Sequence, residues 1–257
     1  MKIVNKKDYY KDVIKLGKGP KRLTIVLPVS FTLAIDKLSF DKGSITTRVN
    51  KRKQALFLGD SITEGAECFD PSSTYVSRVT LAYNLKGFNQ AISGRSFNDY
   101  NVLGTYKIKP NYVFIANGTN HFAMGTGNKE KIFEDLRKTM KIVIDSVHTF
   151  FPKAKIIAIL PLWRSDEKGP NFTLQDTVEE MKKVYSQYQD IIVIDAHDYI
   201  PFDAKYFSNS ELALHPNVLG HTIYGNKLIE DLSKYLGKPK KRNYCKDAIK
   251  ALGDYHE

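Results

Sequence analysis

A chain of 257 residues with 42% apolar content is long enough for one α/β domain plus an appendage, and too apolar to be disordered. Its formal net charge of +11 suits long-range attraction to anions, yet no nucleic-acid motif accompanies it, so it reads as a lysine-rich solvated surface with no specific nucleic-acid partner. Two cysteines, Cys68 and Cys245, are far apart and fit neither a disulfide framework nor a metal pattern.

Residues 1–53 carry short β-type runs, "RLTIVLP" and "SITTRVN", separated by the turn-like "DKG". These are too few for an independent sandwich, so this β-rich segment is expected to lean on the α/β unit C-terminal to it. The apolar stretch "LTIVLPVSFTLAI" (23–35) has acidic Asp8 and Asp12 upstream, is split by Pro28 and lacks a small-residue cleavage site. It is also too short to span a bilayer as a helix, so the expectation is strand-forming sequence, no membrane span and a cytoplasmic location.

From residue 54 the pattern changes. "ALFLG" (55–59), "GFNQAIS" (87–93), "YVFIAN" (112–117), "KIIAIL" (155–160) and "IIVID" (191–195) are apolar runs of strand length. Between the later runs lie helical periods. Ile132, Phe133, Leu136, Met140, Val143, Ile144 and Val147 share one face, with Asn128 placed to cap it. Leu174, Val178, Met181, Val184, Tyr185 and Tyr188 share another. A final helix is expected from about Val218 to Leu236, stopped by Gly237. Strands alternating with helices, and apolar throughout, imply a parallel sheet covered on both faces. This α/β unit then spans 54–237, and 238–257 forms a basic C-terminal tail beginning "KPKKR".

In open parallel sheets, ligands sit beyond the carboxyl ends of the strands. "GDSITEG" with Ser61 follows the first run, "SGRS" with Gly94 the second, and "NGTNH" with Asn120 the third. His215 stands at the mouth of the final helix. Together they offer a hydroxyl, a backbone N–H beside a glycine, a side-chain amide and an imidazole, the parts needed for acyl transfer. A serine hydroxyl is a poor nucleophile until a base takes its proton, and histidine does this near neutral pH. The N–H groups of Ser61 and Gly94 with the amide of Asn120 would form an oxyanion hole, where losing one donor typically costs about 2.7–4 kcal/mol of barrier. Glycine at 94 is expected because a side chain there would crowd the reacting group.

"FLGDSITEG", "NQAISGRS", "ANGTN" and "HPNVLGH" resemble the blocks of the SGNH hydrolases, also called the GDSL lipase and acylhydrolase family. Ser61, Gly94, Asn120 and His215 match the four letters of that name in order, and the resemblance runs from about residue 55 to 236. It implies a flavodoxin-like three-layer α/β/α sandwich with a five-stranded parallel sheet, hydrolysis of carboxylic esters such as carbohydrate acetyl esters, lipids or thioesters, and no cofactor.

One departure stands out. The family pattern D-x-x-H-P places an aspartate three residues before the histidine to orient its ring, and this chain has Leu212 there. Losing the acid of a serine-protease triad costs about 10⁴-fold in turnover. Three alternatives remain open: Glu211 takes over, a backbone carbonyl accepts the ring N–H, or the site is impaired and the chain is a binding protein on an esterase scaffold. Asp195 is a more distant candidate acid, Asp60 braces the nucleophile turn, and His121 is a further departure, at a position where the family often has aspartate. Trp163 and Arg164 follow the fourth run as substrate-binding candidates, since a tryptophan at that rim can stack on a sugar or line an acyl pocket; it can equally cover the core edge. The spacing of His215 and His221 suits no zinc pattern, so no metal is expected. A small-molecule or carbohydrate ester is the expected partner; oligomeric state is not written in the sequence.

Overall fold

The computed structural model describes residues 13–15, 25, 35, 37–43, 52–97, 103–209 and 211–239. The β runs expected within 1–53 and the basic tail expected over 238–257 lie, apart from a few residues, outside the described ones.

Five strands form one sheet: β1 Gln54–Gly59, β2 Lys86–Asn89, β3 Tyr112–Ala116, β4 Lys155–Ile159 and β5 Ile191–Ile194. All four pairings are parallel, in the order β2-β1-β3-β4-β5. That is the flavodoxin-like order, and its direction reverses between β1 and β3, the place beyond whose strand ends open α/β sheets bind ligands.

Alternate strand residues feed two cores. Leu56, Leu58, Val113, Ile115, Ile156 and Ala158 pack with α4 (Lys129–Phe150) and α5 (Leu174–Tyr185). Ala55, Phe57, Tyr112, Phe114, Ile157 and Ile159 pack on the other face with α2 (Tyr75–Ala82) and α6 (Val218–Leu236). Phe57 and Phe114 are register partners whose rings stack at 4.5 Å. A sheet apolar on both sides needs helices on both sides, which gives the three layers.

The helix ends follow from local chemistry. Asn128 caps α4 by accepting from Lys131 N–H, and Thr173 and Asp176 form a capping box on α5. Asn217 caps α6, and Gly237, at φ +82°, ends it. β2 is shorter and more exposed than its apolar run suggested, because it lies at the sheet edge. Its chain nevertheless stays beside β1, with Gln90 N–H bonded to Phe57 O and Ile92 N–H to Gly59 O. Among the described residues no helix is long and apolar enough to cross a membrane.

Candidate active site

The turn after β1 is built by close approach. A Cβ on Gly59 would lie 2.2 Å from Thr63 Oγ1 and 2.9 Å from Ala116 O, so glycine lets the short helix α1 (Ser61–Glu64) fold back onto the strand end. Asp60 is the N-cap, its carboxylate accepting from Ile62 N–H at 3.0 Å. Ser61 is therefore the first helical residue, where its own N–H lies outside the intrahelical ladder. Burial pushes the Asp60 carboxyl up to about 7, against the pull of the backbone N–H groups of Ile62 and Thr63.

His215 arrives from the far end of the chain. Phe207 and Pro216 form a β-bridge, and His215 O accepts from both the N–H and the hydroxyl of Ser208 at 3.0 Å, which fixes the backbone just before α6. Its Nε2 stands 2.8 Å from Ser61 Oγ. Its Nδ1 faces Glu67 Oε1 at 3.2 Å.

The carboxylate beside His215 thus comes from the loop after Ser61 and α1, whereas the family pattern points to position 212 and its neighbours. Glu211 is exposed, and its N–H donates to Asn209 Oδ1 in a local turn. Of the three alternatives left open for the histidine's partner, none named Glu67, the carboxylate that stands beside the ring. Asp195 is engaged elsewhere, paired with Lys182 at 3.0 Å. Glu67 lies in the turn that follows α1, with φ +61°, a left-handed conformation uncommon for a residue with a side chain. Its sequence signal was position: an acidic residue six places after Ser61, on a loop of the catalytic rim.

Gly94 sits in a turn closed by Arg95 N–H to Ile92 O at 3.1 Å, with φ +79°. A Cβ built there meets nothing within 4 Å among the described residues, and the positive φ is a backbone requirement that glycine meets. Asn120 lies in α3 (Thr119–Phe122), and its amide donates one hydrogen to Arg95 O at 2.9 Å, while the other meets no acceptor among the described residues. Ser61, Gly94, Asn120 and His215 therefore lie on neighbouring loops beside the β1/β3 reversal.

Of the two readings open for Trp163, the structure favours the core edge, and Arg164, the other substrate-binding candidate, is turned inward with it. Trp163 is 7% exposed; its Nε1 donates to Ile200 O at 2.9 Å, and its ring packs on Phe202 and Phe207. Arg164 is equally buried, paired with Asp166 and bonded to Thr119 O, with its guanidinium over the Phe122 ring. Both side chains support the core edge and its loops, because their polar groups are already matched inside the protein. His121 is also buried, its ring 5.4 Å from Phe97 and its Nε2 4.0 Å from Asp135. His221 is fully buried and accepts from Tyr75 N–H; burial, then the neighbouring His215, hold its ring down at about 3.

The model of the GDSL-like lipase/acylhydrolase family matches residues 57–223. No curated protein matches the chain. Among solved structures, a salicylyl-acyltransferase from a tetracycline biosynthetic pathway is 17% identical with a TM-score of 0.62, covering 73% of this chain and 56% of that one. This chain therefore spans little more than half the length of that relative. A G-D-S-L family lipolytic protein from Veillonella parvula is 22% identical with a TM-score of 0.57, covering 71% and 99%. A family two carbohydrate esterase from Clostridium thermocellum, solved with cellohexaose, is 17% identical with a TM-score of 0.59, covering 77% and 69%. At these identities the likeness is one of fold.

Proposed function

Since the chain belongs to the GDSL-like lipase/acylhydrolase family, we propose that it is a serine esterase working through a Ser61–His215–Glu67 triad, with acetyl esters on carbohydrate as its substrate class. The observation that carries this reading is the 2.8 Å approach of His215 Nε2 to Ser61 Oγ, with Glu67 behind the ring.

In the proposed reaction Ser61 Oγ attacks the ester carbonyl as its proton passes to His215 Nε2. In this scheme Glu67 is the ion-pair partner of Nδ1, which favours the proton there, leaves Nε2 as the acceptor and offsets the charge of the imidazolium once formed. Negative charge gathers on the former carbonyl oxygen and is met by the N–H groups of Ser61 and Gly94 and the free amide hydrogen of Asn120. The tetrahedral intermediate collapses, the C–O bond to the alcohol breaks, and the alkoxide leaves with the proton from His215. Water then repeats the attack on the acyl-serine with His215 again as base, releasing the carboxylic acid and restoring Ser61. No cofactor enters the scheme.

The choice of substrate draws on the likeness to the Clostridium thermocellum carbohydrate esterase. Purified protein should hydrolyse p-nitrophenyl acetate faster than the butyrate or longer esters, and should release acetate from acetylated xylo-oligosaccharides. Ser61→Ala should reduce both to background. Equal rates for wild type and Ser61→Ala would reject the enzyme reading in favour of a binding protein on this scaffold.

A further inference from the structure

The turn that carries Gly94 is held in place by hydrogen bonds. Its flanking residues Ile92 and Ser93 are exposed, and a Cβ at 94 would touch nothing among the described residues, so side-chain packing gives the glycine itself no support. On one side Arg95 O accepts from Asn120 Nδ2 at 2.9 Å and from Asn117 Nδ2 at 3.3 Å. On the other side a single carboxylate oxygen, Glu64 Oε2, accepts from Ser93 N–H at 2.7 Å and from Ser93 Oγ at 2.6 Å. Glu64 is the last residue of α1, the helix that Ser61 begins. Asn89 Nδ2 adds a bond from the approach to this turn to Thr63 O at 2.8 Å, again on α1.

We infer that Glu64 is a positioning residue for the oxyanion hole: it ties the Gly94 turn to the helix of the nucleophile, so that Ser61 and the second N–H donor move as one body. This rests on the esterase reading above. Bonds to a charged acceptor are shorter and stronger than neutral ones, and two converging on one oxygen fix direction as well as distance. Donors to an oxyanion act when charge develops, so a turn set loose weakens binding of the transition state more than binding of the substrate. Glu64 itself touches no reacting atom in the scheme; it acts through Ser93.

The test compares Glu64→Ala, Glu64→Gln and Ser61→Ala in p-nitrophenyl acetate hydrolysis, with thermal unfolding of each. Glu64→Ala should lower kcat by about 10- to 100-fold, less than the roughly 10²–10³-fold of deleting a donor outright, while KM stays nearly constant. Glu64→Gln keeps an acceptor oxygen and should recover most of the lost kcat. A role confined to folding would lower the unfolding temperature without that split or that rescue. Unchanged kcat in Glu64→Ala, or a Gln variant as slow as the Ala variant, overturns the inference. Ser93→Ala, at an exposed position, removes one of the two bonds and serves if Glu64→Ala does not fold: a several-fold fall in kcat supports the inference and an unchanged kcat overturns it. Ser61→Ala separates the two readings. Its inactivity beside a fully active Glu64→Ala overturns this inference alone, whereas hydrolysis equal to wild type overturns both.

Discussion

Glu67 Oε1 lies 3.2 Å from His215 Nδ1, on the opposite side of the imidazole from Ser61 Oγ. A carboxylate therefore reaches the ring from the loop after Ser61 and α1, although Leu212 occupies the position from which the family pattern supplies one. A carboxylate orients an imidazole by where its oxygen stands in space, whichever loop brings it there, and the left-handed backbone at residue 67 is part of how this loop turns back.

Exchange of carboxylate for amide distinguishes Glu67 from Glu211. Glu67→Gln should lower kcat by roughly 10²- to 10⁴-fold with little change in KM, since the ring loses its tautomeric control and the imidazolium its counter-charge. Glu211→Gln should leave both constants as they are. The reverse order of effects in steady-state kinetics would return the acid to the histidine loop.

Trp163 provides a stability prediction in place of a binding one. Trp163→Ala removes a buried ring and leaves Ile200 O without its donor, so unfolding free energy should fall by about 3–5 kcal/mol in urea titrations. KM for acetylated oligosaccharides should not change in the fraction that remains folded. A higher KM at unchanged stability would place the ring in the substrate site after all.

Two buried groups behind the catalytic turn give opposite responses to pH. Asp60 ionises near 3.8 when unfolded and near 7 when folded, because burial disfavours the carboxylate. Between those values the folded state holds a proton that the unfolded state has lost, so stability falls as pH rises through the window. His221 titrates near 6.5 when unfolded and near 3 when folded, because burial disfavours the imidazolium. There the unfolded state holds the extra proton, and stability falls as pH drops through that window. The slopes oppose each other between about pH 4 and pH 6.5. Relative to wild type, Asp60→Asn should lose more stability on acidification across this range, and His221→Asn should lose less. Parallel stability–pH curves for all three proteins would show that these shifts do not operate.

Much of the fold could be read from the chain because burial on both sides of a parallel sheet leaves a plain mark. The five apolar runs became strands, and the faces of Leu136, Met140 and Val143 and of Val178 and Met181 became helix cores. Asn128 and Gly237 marked helix ends through local backbone chemistry that needs no distant partner. The positions of Ser61, Gly94 and Asn120 followed from strand ends, and that of His215 from the start of the final helix. What escaped depends on contacts between segments remote in sequence. The pairing of Glu67 with His215 joins the two ends of the domain, and no periodicity records it. Trp163 and Arg164 stand at a strand end like the other rim residues, yet point inward because Ile200 O and Asp166 wait for them there. Glycine 94 was legible as a requirement, and the left-handed backbone of its turn is a cause that no sequence period records.

The most direct measurement is covalent labelling with a fluorophosphonate, followed by peptide mass spectrometry. A hydroxyl activated by His215 should carry the phosphonyl adduct on the peptide containing Ser61, with labelling abolished in Ser61→Ala and slowed at least 100-fold in His215→Ala, in line with the unit behaviour of catalytic serine and histidine pairs. An unmodified Ser61 in folded wild-type protein, or labelling that proceeds equally without His215, would contradict the account.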